Sequence, residues 1–317
     1  MTSRHRRLPF ATILLISSCL AVCVMLSAMP AEAENPSDSS ASVENSYNTI
    51  AATPVYQFDS DLDKGGSMSV RRLILNASRK IPLNESLDLR LRLGYSYADY
   101  NFSGPRTFAG MQPWDKVHVL DFGGSLGFAL TPEWNISIAP TISLSREDDA
   151  GWGNAILFGG SVAMSRSFGS KLTLGFGAAA FSELEQVTVF PLLVVDWRIT
   201  DRLSLANPFR PGPTGPAGLE LSYLLGDGWD ASVGAAYRSE RFRLADSGLF
   251  ADGIGESKSI PVWGRISRTV NQHLKLDFYG GAMVGGKVSI DDSNGNRLSS
   301  DDYDSAPFMA LAVSGRF

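Results

Sequence analysis

The sequence is poor in thiols, histidines and long apolar runs, and each shortage removes a class of protein. Its 2 cysteines, Cys19 and Cys23, both lie near the N-terminus, so the rest of the chain offers no disulfide framework and no thiolate metal site. Of 3 histidines only His118 and His273 fall beyond that segment, and neither stands in a metal-ligand spacing. After the first thirty residues no apolar run is long enough for a membrane-spanning helix, so any crossing of a bilayer must be made by strands. Basic residues are also outnumbered, 28 Lys and Arg against 33 Asp and Glu, and the net charge of −5 argues against a nucleic-acid partner.

What is present begins with the three parts of a secretory leader. Arg4, Arg6 and Arg7 form a positive start, an uncharged apolar stretch runs from Leu8 to Ala31, and Ala31-Glu32-Ala33 is an A-x-A cleavage site. Residues 1–33 are therefore expected to be removed; losing three basic and one acidic residue shifts the net charge from −5 to −7. An uncleaved anchor and lipidation at Cys19 are the alternatives. The small residues at Ala31 and Ala33 favour cleavage over the first, and the apolar run continuing past Cys19 disfavours the second. Residues 34–53, rich in Ser, Asn, Ala and Glu, read as a flexible lead-in, and residues 54–317 as one domain.

Within that domain apolar residues recur at every second position, the period of a strand with two unlike faces. Leu87, Leu89, Leu91, Leu93, Tyr95 and Tyr97 alternate with Asp88, Arg90, Arg92, Gly94 and Ser96. Trp229, Ala231, Val233, Ala235 and Tyr237 alternate with Asp230, Ser232, Gly234 and Arg238 in the same way. Turns after alternate strands are short, such as Gly169-Ser170 and Asn271-Gln272. Those between them are long and polar, such as 101–113, 147–154, 208–216, 246–256 and 291–304. Short turns on one rim and long loops on the other is the layout of a membrane-spanning barrel. The expected fold is all-β, a closed antiparallel transmembrane barrel of about 14 strands, with 12 the alternative because the segments near 54–61 and 202–207 are weak.

The segment Met309-Ala310-Leu311-Ala312-Val313-Ser314-Gly315-Arg316-Phe317 places Met309, Leu311, Val313 and Phe317 on one face. It resembles the C-terminal strand of bacterial outer-membrane proteins, whose closing aromatic is read by the barrel-assembly machinery. More broadly, residues 54–317 are similar to outer-membrane barrels of the porin-like type. The runs Phe242-Arg243-Leu244-Ala245-Asp246 and Asp252-Gly253-Ile254-Gly255-Glu256 resemble a family of unknown function. The resemblance implies residence in the outer membrane of a Gram-negative bacterium among lipid and lipopolysaccharide. It also implies periplasmic chaperones and the assembly machinery as partners.

The polar parity carries Arg90, Arg92, Asp121, Arg238, Glu240, Arg265, Lys275, Asp277 and Lys287, the candidate lumen-facing set. Facing water it would set the preference of a passive channel for small hydrophilic solutes or ions; paired internally it would fill and seal the barrel, leaving a structural or adhesive protein. Tyr95, Tyr97, Tyr100, Trp114, Trp134, Trp197, Trp229, Tyr237 and Trp263 are expected to form interfacial girdles. Pro140 and Pro191 are expected to mark bulges or breaks. No cofactor, metal site or catalytic set is expected. His118, with Asp115 and Asp121 in its strand, is the one pairing that suggests a hydrolase, and no nucleophile motif accompanies it. The acidic loop from Asp291 to Asp304 lacks calcium-loop spacing and reads as solvated.

Overall fold

A computed structural model describes residues 46–208, 212–215 and 217–317; residues 1–45, the expected leader among them, lie outside these. The described residues form fifteen strands: β1 (Tyr47–Asp61), β2 (Ser67–Asn84), β3 (Leu87–Ser103), β4 (Lys116–Ala129), β5 (Trp134–Glu147), β6 (Ile156–Phe168), β7 (Leu172–Ser182), β8 (Val187–Arg198), β9 (Leu203–Ala206), β10 (Ala217–Gly226), β11 (Trp229–Arg243), β12 (Ile254–Thr269), β13 (Leu274–Asp291), β14 (Arg297–Tyr303) and β15 (Ala306–Arg316). From β1 to β14 each pairs antiparallel with the next in sequence, and β15 pairs with β13 and with β1, so the sheet closes on itself. β14 and β15 share one wall position, since both pair with β13, over its upper and lower halves respectively. The barrel thus has fourteen positions and the fold of an outer-membrane β-barrel, with the weak segments near 54–61 and 202–207 both present as strands. The first strand starts at Tyr47, inside the stretch read as a lead-in, because residues 47–53 are held between β2 and β15.

The two faces differ as the alternation demands. Outward residues of the wall are large, apolar and bare: Phe176 is 72% exposed, Val187 71%, Val189 67% and Val233 59%. An apolar surface this continuous is matched to hydrocarbon and not to water. Met309 and Leu311 lie on this outer face, while Phe308, Ala310 and Ala312 turn inward and are buried. Closure is completed by reciprocal backbone bonds between Asn48 and Phe317, which leave no free edge at the seam.

The prolines behave differently from each other. Pairing of β4 with β5 lapses between Gly123↔Thr141 and Leu126↔Ile138, where Pro140 cannot donate. Pro191 stays in register with Ala178 of β7, and no bulge forms there. A bulge does occur in β13, where Gly285 adopts φ +59 and two residues face one of β12. Its neighbour Gly286 has no room for a side chain, since a Cβ there would lie 2.1 Å from the Tyr303 ring.

Candidate lumen and wall opening

The lumen is organised around Arg265 of β12, whose side chain is fully buried. Its Nη2 lies 2.8 Å from Glu220 Oε1, and its Nη1 lies 2.9 Å from both Asp230 Oδ1 and Asp277 Oδ1. Trp263 Nε1 donates to Glu220 Oε2 at 3.0 Å, and Lys275 Nζ reaches Asp230 Oδ2 at 3.1 Å. The Ser267 hydroxyl joins Arg265 and Asp277. Two cations therefore hold three carboxylates inside the wall, an arrangement stable only while each partner remains. Of the residues singled out in the sequence, Arg265, Lys275 and Asp277 meet here. Glu220 and Asp230 complete the network, and their signal was parity alone, Glu220 alternating with Leu219 and Leu221.

Arg238 and Glu240 form a second group with Arg72, both guanidinium groups lying 2.6 Å from Glu240 Oε1. Asp121 accepts from the Ser143 hydroxyl. Arg90 and Arg92 share the parity of buried Ala98 and Tyr100 but stand exposed, lining the part of the lumen near the short-turn rim. Lys287 departs from the expected set. The bulge at Gly285 reverses the parity of β13, so that Val288 and Ile290 turn inward and Lys287 turns outward to Asp302 at 3.5 Å.

Towards the long-loop rim the lumen is filled by aromatic rings. Trp114 packs against Phe242 at 5.2 Å, Phe102 at 5.4 Å, Tyr100 at 5.7 Å and Phe108 at 6.3 Å between centroids. Phe108 is carried into this cluster by a single 3-10 turn, Phe108–Gly110, in which Phe108 and Ala109 both have positive φ. The Thr107 hydroxyl anchors that turn to Asp301 Oδ2 at 2.5 Å. Tyr100, Trp114 and Trp263 are thus inside the barrel and not in the interfacial girdles, because β3 and β12 present Tyr100 and Trp263 on the inner parity and the β3–β4 loop folds Trp114 into the lumen. Trp197, Trp229 and Tyr237 do face outward. The upper end of β11 crosses the mouth to meet β5: Arg243 and Arg146 form a parallel bridge, and Ser145 Oγ donates to Arg241 O at 2.7 Å.

This inward swing of β11 leaves an interruption in the wall. β9 has only four residues, and it meets β8 over Asp196–Arg198 alone. β10 begins at Ala217, opposite Tyr237. Above that level, among the described residues, no strand lies between the β8 edge and the β11 edge. Residues 212–215, between β9 and β10, lie in the lumen instead, where Pro213 and Thr214 are buried and Pro213 O accepts from Arg238 Nη1 at 3.0 Å. Asn207 marks the lower corner, with its Oδ1 accepting from Val195 N and its Nδ2 donating to Leu193 O and Gly218 O, both at 3.0 Å. Val195 turns its N–H towards Asn207 and away from β7, so Pro191, of the same parity, sits on the open edge where a missing donor costs nothing. Inside the gap Phe181 and Phe190 stack at 5.8 Å.

The β7–β8 turn leans over the top of the opening. Arg241 Nη2 donates to Leu184 O at 3.2 Å, and Arg243 lies 3.3 Å from Glu185 Oε1. Leu184 packs with Leu157 and Ile254. Burial pushes the Glu183 carboxyl up from its usual range, against the hydrogen bond from Thr188 and the charge of Arg241. A raised carboxyl favours the proton-bound folded form, so its contribution is present at acid pH and is lost as pH rises through the raised value. Glu183→Gln is expected to flatten the pH dependence of amide exchange at Leu184–Gln186 between mildly acid and neutral pH. Unchanged pH dependence in the variant would remove Glu183 as its source.

The remaining candidates are self-satisfied. His118 has Tyr95 Oη at 2.9 Å from Nδ1 and Asp148 Oδ1 at 2.5 Å from Nε2, so both ring nitrogens are engaged. The Asp292 carboxylate accepts from Asn294 N, Asn296 N and the Asn296 amide, which pulls its pKa below the usual range.

A family model described as a domain of unknown function (DUF6268) matches residues 130–210, which span β5 to β9. No curated protein matches the sequence. Among solved structures, the COG4313 outer membrane channel from Pseudomonas putida F1 is similar at 10% identity and a TM-score of 0.48, over 90% of this chain and 100% of that one. The Pseudomonas putida toluene transporter TodX is similar at 11% identity and a TM-score of 0.41, over 86% and 89%. The Ralstonia pickettii toluene transporter TbuX is similar at 10% identity and a TM-score of 0.34, over 86% and 90%.

Proposed function

We propose that this chain is an outer-membrane channel of a Gram-negative bacterium, closed along its axis in this conformation, whose conduit for small apolar or amphipathic solutes opens through the wall between β8 and β11. The observation that carries the reading is the four-residue β9. Unpaired strand edges facing hydrocarbon cost several kcal/mol per orphaned group, so a wall that stops its pairing at mid-height has a use for the opening. The apolar outer belt, the leader and the C-terminal pattern support the location. The same features support lipopolysaccharide, periplasmic chaperones and the assembly machinery as partners. No chemistry on a substrate is needed, and the chain is read as a non-enzyme.

The exposed pair Arg90 and Arg92 supports a second reading, in which small hydrophilic solutes or ions pass along the axis once the aromatic cluster moves. A cysteine placed by Phe190→Cys separates the two, because after leader removal the chain has no competing thiol. Alkylation of that thiol with a bulky pyrene maleimide in proteoliposomes is expected to cut entry of an apolar fluorescent probe several-fold. Steady ohmic steps in planar bilayers that survive alkylation would favour the axial reading. Absence of both probe entry and conductance would leave a sealed structural barrel.

A further inference from the structure

We infer that the small chamber at mid-lumen bounded by Gln57, Arg72, Arg238, Glu240, Ser259 and Tyr303 is a binding site for one monatomic anion of the halide type. The cavity measures about 10 Å³, room for the centre of a single solvent-sized species. A phosphate, sulfate or carboxylate does not fit. Its lining is rich in donors: two guanidinium groups, the Gln57 amide, and the hydroxyls of Tyr100, Tyr303, Ser257 and Ser259. The only charged acceptor is the Glu240 carboxylate, and both Arg72 and Arg238 already converge on its Oε1. The lining therefore carries one positive charge in excess, in surroundings where an uncompensated charge is costly.

The Gln57 amide supplies an independent sign. Gln57 is 7% exposed, and its Nε2, buried beside the Tyr303 hydroxyl, makes no hydrogen bond of ordinary geometry, so at least one of its two N–H groups is left unmade. A buried donor left unmade is disfavoured, and this one belongs to a side chain that lines the chamber. A water molecule would satisfy it but would bring two protons of its own to a site with one charged acceptor, already shared. A halide accepts from all the donors at once and neutralises the excess charge. Arg238 and Glu240 keep 16% and 21% side-chain exposure, so the chamber communicates with the rest of the lumen. The inference is independent of the solute that the channel passes.

The test uses bromide as the probe. Crystals of the full barrel grown or soaked in bromide are expected to show an anomalous peak in the chamber at hydrogen-bond distance from Gln57 Nε2. The thermal midpoint is expected to be higher in chloride than in gluconate at equal ionic strength. Gln57→Leu, which is close in size, should remove the peak and the chloride-specific shift together. Should that variant fail to fold, the wild-type peak and salt comparison decide alone. A chamber without anomalous signal, with equal midpoints in the two salts, would mean that it holds water and would overturn the assignment.

Discussion

Arg265→Ala is expected to prevent recovery of the folded barrel at neutral pH. The substitution removes the one group in contact with Glu220, Asp230 and Asp277 and leaves Lys275 alone against three carboxylates. Breaking a buried ion pair from one side costs about 3–5 kcal/mol, against a total stability of about 5–15 kcal/mol for a typical domain. Here one cation serves three anions, so the upper end of that range applies. Trp263 would also lose its fixed partner, because Glu220 would no longer be held in place. The measurement is refolding from urea into detergent micelles, followed by the mobility shift between heated and unheated samples. Lowering the pH should restore part of the shift, since protonating the orphaned carboxylates removes their repulsion. Combining Arg265→Ala with Glu220→Gln and Asp277→Asn should restore more. Refolding of the single variant at the wild-type midpoint would show that the network contributes nothing to folding.

The same residues show how far the sequence could be read. Alternation marked the strands across most of the barrel, because a wall facing lipid on one side and a lumen on the other imposes the strand period on every segment. It also placed Arg265, Lys275 and Asp277 on one parity. It failed where parity is reset locally. A glycine at φ +59 in β13 turns Lys287 from the lumen to the outside, and nothing in the Gly-Gly-Lys run distinguishes that bulge from a continuous strand. The aromatic residues show a related failure. Strand-end position suggested a girdle for Tyr100 and Trp114, yet Tyr100 lies on the inner parity of β3 and Trp114 sits in the β3–β4 loop, which folds back into the mouth. Loop insertion depends on contacts between distant segments, such as Thr107 with Asp301, and leaves no periodic signal. The short β9 was visible only as weakness, and its consequence appears when the following loop is seen to run inward to Arg238.

That inward loop and the inward sweep of β11 together decide which side of the barrel is filled. The inner faces of β5 to β7 carry small residues, Ser137, Ala139, Ser161, Ala163, Gly177 and Ala179 among them, whereas β12 and β13 carry Trp263, Arg265, Asp277 and Tyr279. Bulk on one wall faces free space along the other, so the unfilled part of the lumen lies on the side of the wall opening. An axial path and a lateral one would share that space and differ only in their exit. The axial exit is the one that the aromatic cluster blocks.

Removing the centre of that cluster is therefore expected to change both stability and conductance. Trp114 is 2% exposed and touches four rings drawn from β3, β11 and the β3–β4 loop. Trp114→Ala should cost about 3–5 kcal/mol, the usual range for deleting a buried aromatic side chain, read as a lower urea midpoint in micelles. It should also produce steady single-channel steps in planar bilayers, where the native protein is expected to give none, because the void opens onto the loop rim. Trp114→Phe separates packing from polarity. The indole N–H is buried without a partner, so replacing it loses area but also removes an unmade donor, a term of about 1–3 kcal/mol that offsets the loss. The phenylalanine variant should keep a near-native midpoint and remain closed. Closed traces from the alanine variant, with its midpoint lowered as expected, would place the barrier elsewhere, at the Arg72–Glu240 level of the lumen. A phenylalanine variant as unstable as the alanine one would mean that the ring's full volume, and not the cluster's apolar character, holds the mouth shut.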